Sequence, residues 1–139
     1  MEEMGISYKN SSGYPDPTAY TAVHNIEAEE KILHIQYPTG HIDLKMDAFF
    51  PCTADRARKI FRLICQYCSQ EDKDRMLRFL REKERRYQSQ VRTFEQQIKS
   101  STQEKGRSSL ESRMRESARL QIRTHRNIEQ FLYREERSR

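Results

Sequence analysis

Long hydrophobic runs are missing. No stretch of the 139 residues approaches about 18 consecutive apolar positions, so a membrane-spanning helix is excluded. Glycine is scarce, with four residues scattered along the chain, and no glycine-rich phosphate loop can be drawn. Three cysteines cannot all pair with one another, and the acidic opening Met1-Glu2-Glu3-Met4 is followed by no apolar stretch. A secretory signal is therefore not expected, and the reducing cytoplasm is the expected compartment. Apolar side chains are also few: hydrophobic residues make up 35% and charged residues 34%, with a mean hydropathy of -1.05. Such a chain cannot build a thick globular core. It suits long two-faced helices, or completion against a partner.

Charge, by contrast, is abundant and unevenly placed. The net charge of +5 divides into an acidic stretch, residues 1–50, with 3 Lys/Arg against 8 Asp/Glu, and a basic remainder with 23 against 13. The two parts suit partners of opposite sign.

Residues 1–25, with Ser11-Ser12-Gly13, Pro15 and Pro17, read as a flexible or irregular arm, with Tyr8, Tyr14 and Tyr20 as anchors. Residues 26–68 read as a β-hairpin and short-helix module. Leu33, Ile35 and Tyr37 alternate in the first strand, and Ile42, Leu44 and Met46 alternate in the second. Pro38-Thr39-Gly40 is the expected turn, with Gly40 supplying a positive φ. Thr53 is the expected cap of a helix whose Ala57, Ile60, Phe61, Ile64, Cys65 and Cys68 share one broad face. Ser69 starts the next helix.

Residues 69–139 read as a long, Arg-rich helical hairpin. Leu77, Leu80, Glu84, Tyr87, Val91, Phe94 and Ile98 follow a heptad seam with one polar interruption. A break is expected at residues 101–107 around Gly106, and Ser108-Ser109-Leu110-Glu111 fits a capping box for the second helix. Leu110, Met114, Ala118, Ile122, His125, Ile128 and Leu132 are its expected apolar stripe. The fold class is therefore α+β and mainly helical: a β-hairpin and short helix, then a coiled-coil-like antiparallel helical hairpin. Thin seams favour a homodimer through the helices, with Glu84 and His125 selecting register.

The basic rows are the principal functional signal. Arg115, Arg119, Arg123 and Arg126 line one side of the last helix, and Arg78, Arg81, Arg85 and Arg92 form a row on the preceding one. Planar guanidiniums suit either carboxylates or phosphates, while the bland reading is a solubilising face. Tyr67 and Phe79 are candidates for a hydrophobic contact point, or for closing the interface between the hairpin module and the long helices. No helix-turn-helix, zinc-finger or aromatic RNA-binding pattern is present.

His41, Cys52, Cys65 and Cys68 contain enough ligand types for a zinc site, but a helix carrying Ile60, Phe61 and Ile64 makes core cysteines the simpler reading. His24, His34, His41 and His125 have no nucleophile and orienting acid at a recognisable spacing. No catalytic residue and no cofactor is assigned. The expected function is non-catalytic binding of a macromolecule. The chain would be a small regulator, adaptor or inhibitor that occludes an acidic or nucleic-acid-binding surface of another protein. A phage or mobile-element accessory directed at a host nuclease is the concrete form. The alternative is direct nucleic-acid binding by a basic helical dimer.

Overall fold

The alternation between Lys31 and Met46 folds as an antiparallel hairpin of β1 (Ile32–Tyr37) and β2 (Gly40–Lys45) in a computed structural model that describes residues 31–137. The expected arm at 1–25, with its three tyrosines, lies outside the described residues. Leu33, Ile35 and Leu44 are buried and Ile42 is half-buried, whereas His34, His41, Asp43 and Lys45 face solvent. The link is Pro38-Thr39 alone. Gly40 opens β2 without the expected positive φ, because the two residues before it complete the reversal. Its missing side chain serves a close approach instead: a Cβ there would lie 3.2 Å from the Tyr37 hydroxyl. Met46 keeps its inward position but opens the one-turn helix α1 (Met46–Phe49) rather than extending the strand.

α2 (Ala54–Tyr67) begins at Thr53, whose Oγ1 accepts from the Arg56 amide at 3.3 Å. It buries Ala57, Ile60, Phe61 and Ile64, while Cys65 and Cys68 are only half-buried. Ser69 then caps α3 (Gln70–Ser100), its Oγ accepting from the Asp72 amide at 3.1 Å. At 1.5 Å per residue, α3 extends about 46 Å.

Only Ser101-Thr102-Gln103 separates α3 from α4 (Glu104–Arg137). The break is shorter than expected. The Gln103 carbonyl accepts the first helical bond from Arg107, so Gly106 and Ser108 lie inside α4 and the capping box at Ser108 is not used. Glycine costs roughly 1 kcal/mol within a helix, which packing along a 34-residue element outweighs.

α3 and α4 pack against each other, and α2 packs on α4. The seam of α4 departs from its expected stripe. Ser117, Thr124, Asn127, Ile128 and Phe131 are buried, whereas Ile122, His125 and Leu132 face outward. Small polar side chains occupy inward positions because each finds a partner. The Thr124 hydroxyl donates to the Leu120 carbonyl at 2.7 Å, and the Ser117 hydroxyl donates to Gln90 Oε1 at 3.0 Å. Glu84 and His125 pair within one chain: Nδ1 of His125 lies 3.0 Å from Glu84 Oε2, to which Gln121 also donates. Together with Lys73–Glu135 at 3.4 Å, these contacts run down the hairpin and hold its register.

The core gathers at the end of the hairpin where α3 begins and α4 finishes. Leu33, Ile35, Leu44 and Met46 meet Phe61 and Ile64 of α2, Met76 and Leu80 of α3, and Ile128 and Phe131 of α4. Phe61 stacks on Phe50 at 5.8 Å and takes the edge of Phe131 at 5.2 Å. Toward the reversal the seam thins to half-buried Tyr87, Val91, Phe94, Ile98, Leu110 and Met114. Among the described residues, no helix is long and apolar enough to cross a membrane.

Candidate binding groove between α2 and α4

Two side-chain amides on α4 hold the start of α2. Asn127 accepts from the Cys52 amide at 2.9 Å and donates to the Cys52 carbonyl at 3.1 Å. One turn later, Gln130 donates to the Ala54 carbonyl at 2.9 Å. The amino-terminal end of α2 is thereby fixed against α4, with the positive end of its helix dipole beside the arginine row.

A cleft of about 420 Å³ opens there, walled by Thr53 and Ala54 on one side and by Arg119, Ile122, Arg123 and Arg126 on the other. That volume lies in the range of ligand-binding clefts. Arg119 is engaged by Glu116, which holds the Glu116 carboxyl below its usual range. Asp55, the nearest carboxylate in the first turn of α2, is paired with Arg58. Arg123 and Arg126 have no carboxylate partner among the described residues. Burial pushes the Cys52 thiol up to about 11, against the smaller opposing charges of Arg56 and then Arg123.

The cleft draws in three of the eight arginines singled out in the sequence. Arg115 lies exposed on α4 outside it, and Arg78, Arg81, Arg85 and Arg92 are exposed on α3. Sequence inspection did not find the contributions of Thr53, Ala54, Asn127 and Gln130. Their one local signal was the cap at Thr53, because the contacts that build the cleft span 75 and 76 residues.

Beyond Gln130 the surface dips again, in a hollow of about 460 Å³ bordered by Arg58, Tyr133 and Arg137. Arg137 donates to the Tyr133 hydroxyl at 3.0 Å, and its guanidinium sits 5.5 Å from the centre of that ring.

Tyr67 and Phe79 meet different neighbours. Tyr67, partly exposed, lies 6.3 Å from Tyr37 at the hairpin tip. Phe79 packs against the core beneath the ammonium of Lys83, 5.5 Å from its ring centre.

The four residues of the alternative zinc reading are dispersed. His41 is on the exposed face of β2 beside Asp43, Cys52 lies against Asn127, and Cys65 and Cys68 lie at the far end of α2, Cys68 just past its last turn. Among the described residues, no group of three His, Cys, Asp or Glu side chains is arranged to hold a metal. Burial pushes all three thiols up, Cys68 to about 11. His34 bonds Asp43 at 2.7 Å on the solvent face and holds that carboxyl below its usual range. His125 faces Glu84 and, at 3.6 Å, Glu129, so its partners are carboxylates rather than a nucleophile. No protein-family model matches the chain, and comparisons with curated proteins and with solved structures find no match either.

Proposed function

We propose that the chain is a non-catalytic binding protein, a small regulator, adaptor or inhibitor that occludes an acidic surface of a partner protein. One observation carries this reading: Arg123 and Arg126 border an open cleft and have no carboxylate partner among the described residues. Like charges one turn apart cost a few tenths of a kcal/mol in an isolated helix, and an external anion would relieve that cost. Guanidinium forks bind carboxylates in pairs of hydrogen bonds, which gives such a contact direction as well as charge. A nuclease, whose metal-binding carboxylates sit where nucleic acid enters, offers a surface of this kind. A phage or mobile-element accessory that blocks one is the concrete form of the proposal.

The test is recovery of partners from native cells with and without nuclease treatment, using the wild-type chain and Arg123→Glu/Arg126→Glu. A protein partner retained after nuclease treatment and lost with the double variant, at unchanged helicity, is the expected result. Capture that ignores the double variant excludes the cleft. Capture that vanishes with nuclease, together with oligonucleotide binding whose log affinity falls linearly with log salt, would replace the proposal with direct nucleic-acid binding.

A further inference from the structure

We infer that the groove between α2 and α4 seats an acidic amphipathic helix of the partner, gripped at both ends; this rests on the reading above and specifies its ligand. The cleft at Arg123 and Arg126 and the hollow at Arg58 and Arg137 lie on either side of Gln130, which borders both; Arg58 is shared with Asp55, and Arg137 keeps further donors beyond the one on the Tyr133 hydroxyl. From Arg126 to Arg137 is 11 residues of α4, or about 17 Å along the axis. A guest helix covers that distance in about three turns.

Apolar surface lies beside the charge. Among the described residues, four large hydrophobic side chains are exposed, and two of them, Ile122 and Tyr133, border this groove at 48% and 62% exposure. They stand 11 residues apart, beside the two basic ends. A ligand with carboxylates near both ends and apolar side chains on the same face satisfies both features. A surface between two packed helices also accepts a third helix by the ridge-and-groove fit that packs helices generally.

The same surroundings disfavour a nucleic acid in this groove. Tyr133 accepts a hydrogen bond from Arg137, whose guanidinium lies 5.5 Å from the ring centre, and the apolar Ile122 beside the basic residues favours a peptide over a nucleic acid. Ile122 offers nothing to a phosphate.

The experiment titrates the full chain against three labelled probes. One is a 15-residue amphipathic Leu/Ala/Glu peptide of helical periodicity, one is the same peptide with Gln for Glu, and one is a short DNA duplex (probe length set at about three to four turns). Fluorescence anisotropy reports affinity, and circular dichroism reports peptide helicity. Expected results are binding of the Glu peptide with a gain in helicity, and at least tenfold weaker binding of the Gln peptide. At least tenfold weakening is also expected for Arg123→Glu/Arg126→Glu and, separately, for Arg58→Glu/Arg137→Glu. All four positions line the open groove, and the melting temperature of each variant checks that it is folded.

Tighter binding of the duplex than of the Glu peptide, or no peptide binding at all, overturns the inference. If Arg58→Glu/Arg137→Glu leaves peptide affinity unchanged while Arg123→Glu/Arg126→Glu abolishes partner capture, the two-ended groove fails and the single cleft survives. If Arg123→Glu/Arg126→Glu also leaves capture unchanged, the broader reading fails with it.

Discussion

Asn127 satisfies both backbone polar groups of Cys52, a residue 75 positions upstream. Its side chain is 2% exposed, so water cannot take its place. The pair joins the segment entering α2 to the last third of α4 and sets the distance between the walls of the groove. Asn127→Leu leaves a buried amide and a buried carbonyl without partners, each costing about 1–3 kcal/mol. The expected loss is roughly 2–4 kcal/mol, read as a lower urea midpoint with an unchanged slope.

Lys83 of α3 is nearly buried, and its ammonium donates to Asp47 twice, at 2.9 Å to the carboxylate and 3.1 Å to the backbone carbonyl. The Asp47 side chain, in contrast, is half exposed. The two deletions are therefore unequal. Asp47→Ala leaves a desolvated cation with the backbone carbonyl at 47 but without its counter-charge, whereas Lys83→Met returns a carboxylate to water and keeps an apolar stem in place. Asp47→Ala should be the more destabilising of the two by about 1–2 kcal/mol in parallel denaturation curves, and the reverse order would contradict this assignment.

Cys52 and Cys68 hold their protons up to about pH 11, against an ordinary thiol value of 9.0, chiefly because burial opposes the thiolate. Between these values the folded chain keeps protons that the unfolded chain has released. This contribution to stability is full below about pH 9 and declines as pH rises toward 11. Urea midpoints at pH 8, 9.5 and 10.5 should fall more steeply for the wild type than for Cys52→Ala/Cys68→Ala. Alkylation at pH 8 should likewise be slow in the folded chain and fast in denaturant.

Thr124 is fully buried, and its hydroxyl bonds only a carbonyl of its own helix. Valine has nearly the same shape, and the Leu120 carbonyl it would leave has a backbone partner in the helix ladder. Thr124→Val is expected to change stability by less than about 1 kcal/mol, in either direction. A loss above about 2 kcal/mol would point to a role for this hydroxyl beyond its own turn.

Glu84 and His125 face each other across α3 and α4 at 3.0 Å, with the histidine half exposed. A double-mutant cycle of Glu84→Gln and His125→Ala should give a coupling of about 0.5–1 kcal/mol, shrinking with added salt.

The elements legible in the sequence were those with strong local signals. Alternation marked β1 and β2, Thr53 and Ser69 marked the starts of α2 and α3, and Leu77 to Ile98 marked the long seam. The inward face of α4 was misread because Ser117, Thr124 and Asn127 are polar while Ile122 and Leu132, though apolar, point outward. Side-chain pattern indicates burial only where apolar residues do the burying, and here small hydrogen-bonded polar groups take that place. The arginine row of α4 was visible as spacing. The concavity it borders was not, because that depends on Asn127 and Gln130 reaching Cys52 and Ala54 across most of the described chain.

The hairpin is thinnest toward its reversal. Its seam advances by heptads, and the groove and the principal core lie at the opposite end. Excising seven residues from each arm, such as 91–97 together with the facing 110–116, would draw the reversal inward by about 10 Å while restoring the facing of every remaining pair. The distal rod thus behaves as a spacer whose length can change without altering the surface it projects from.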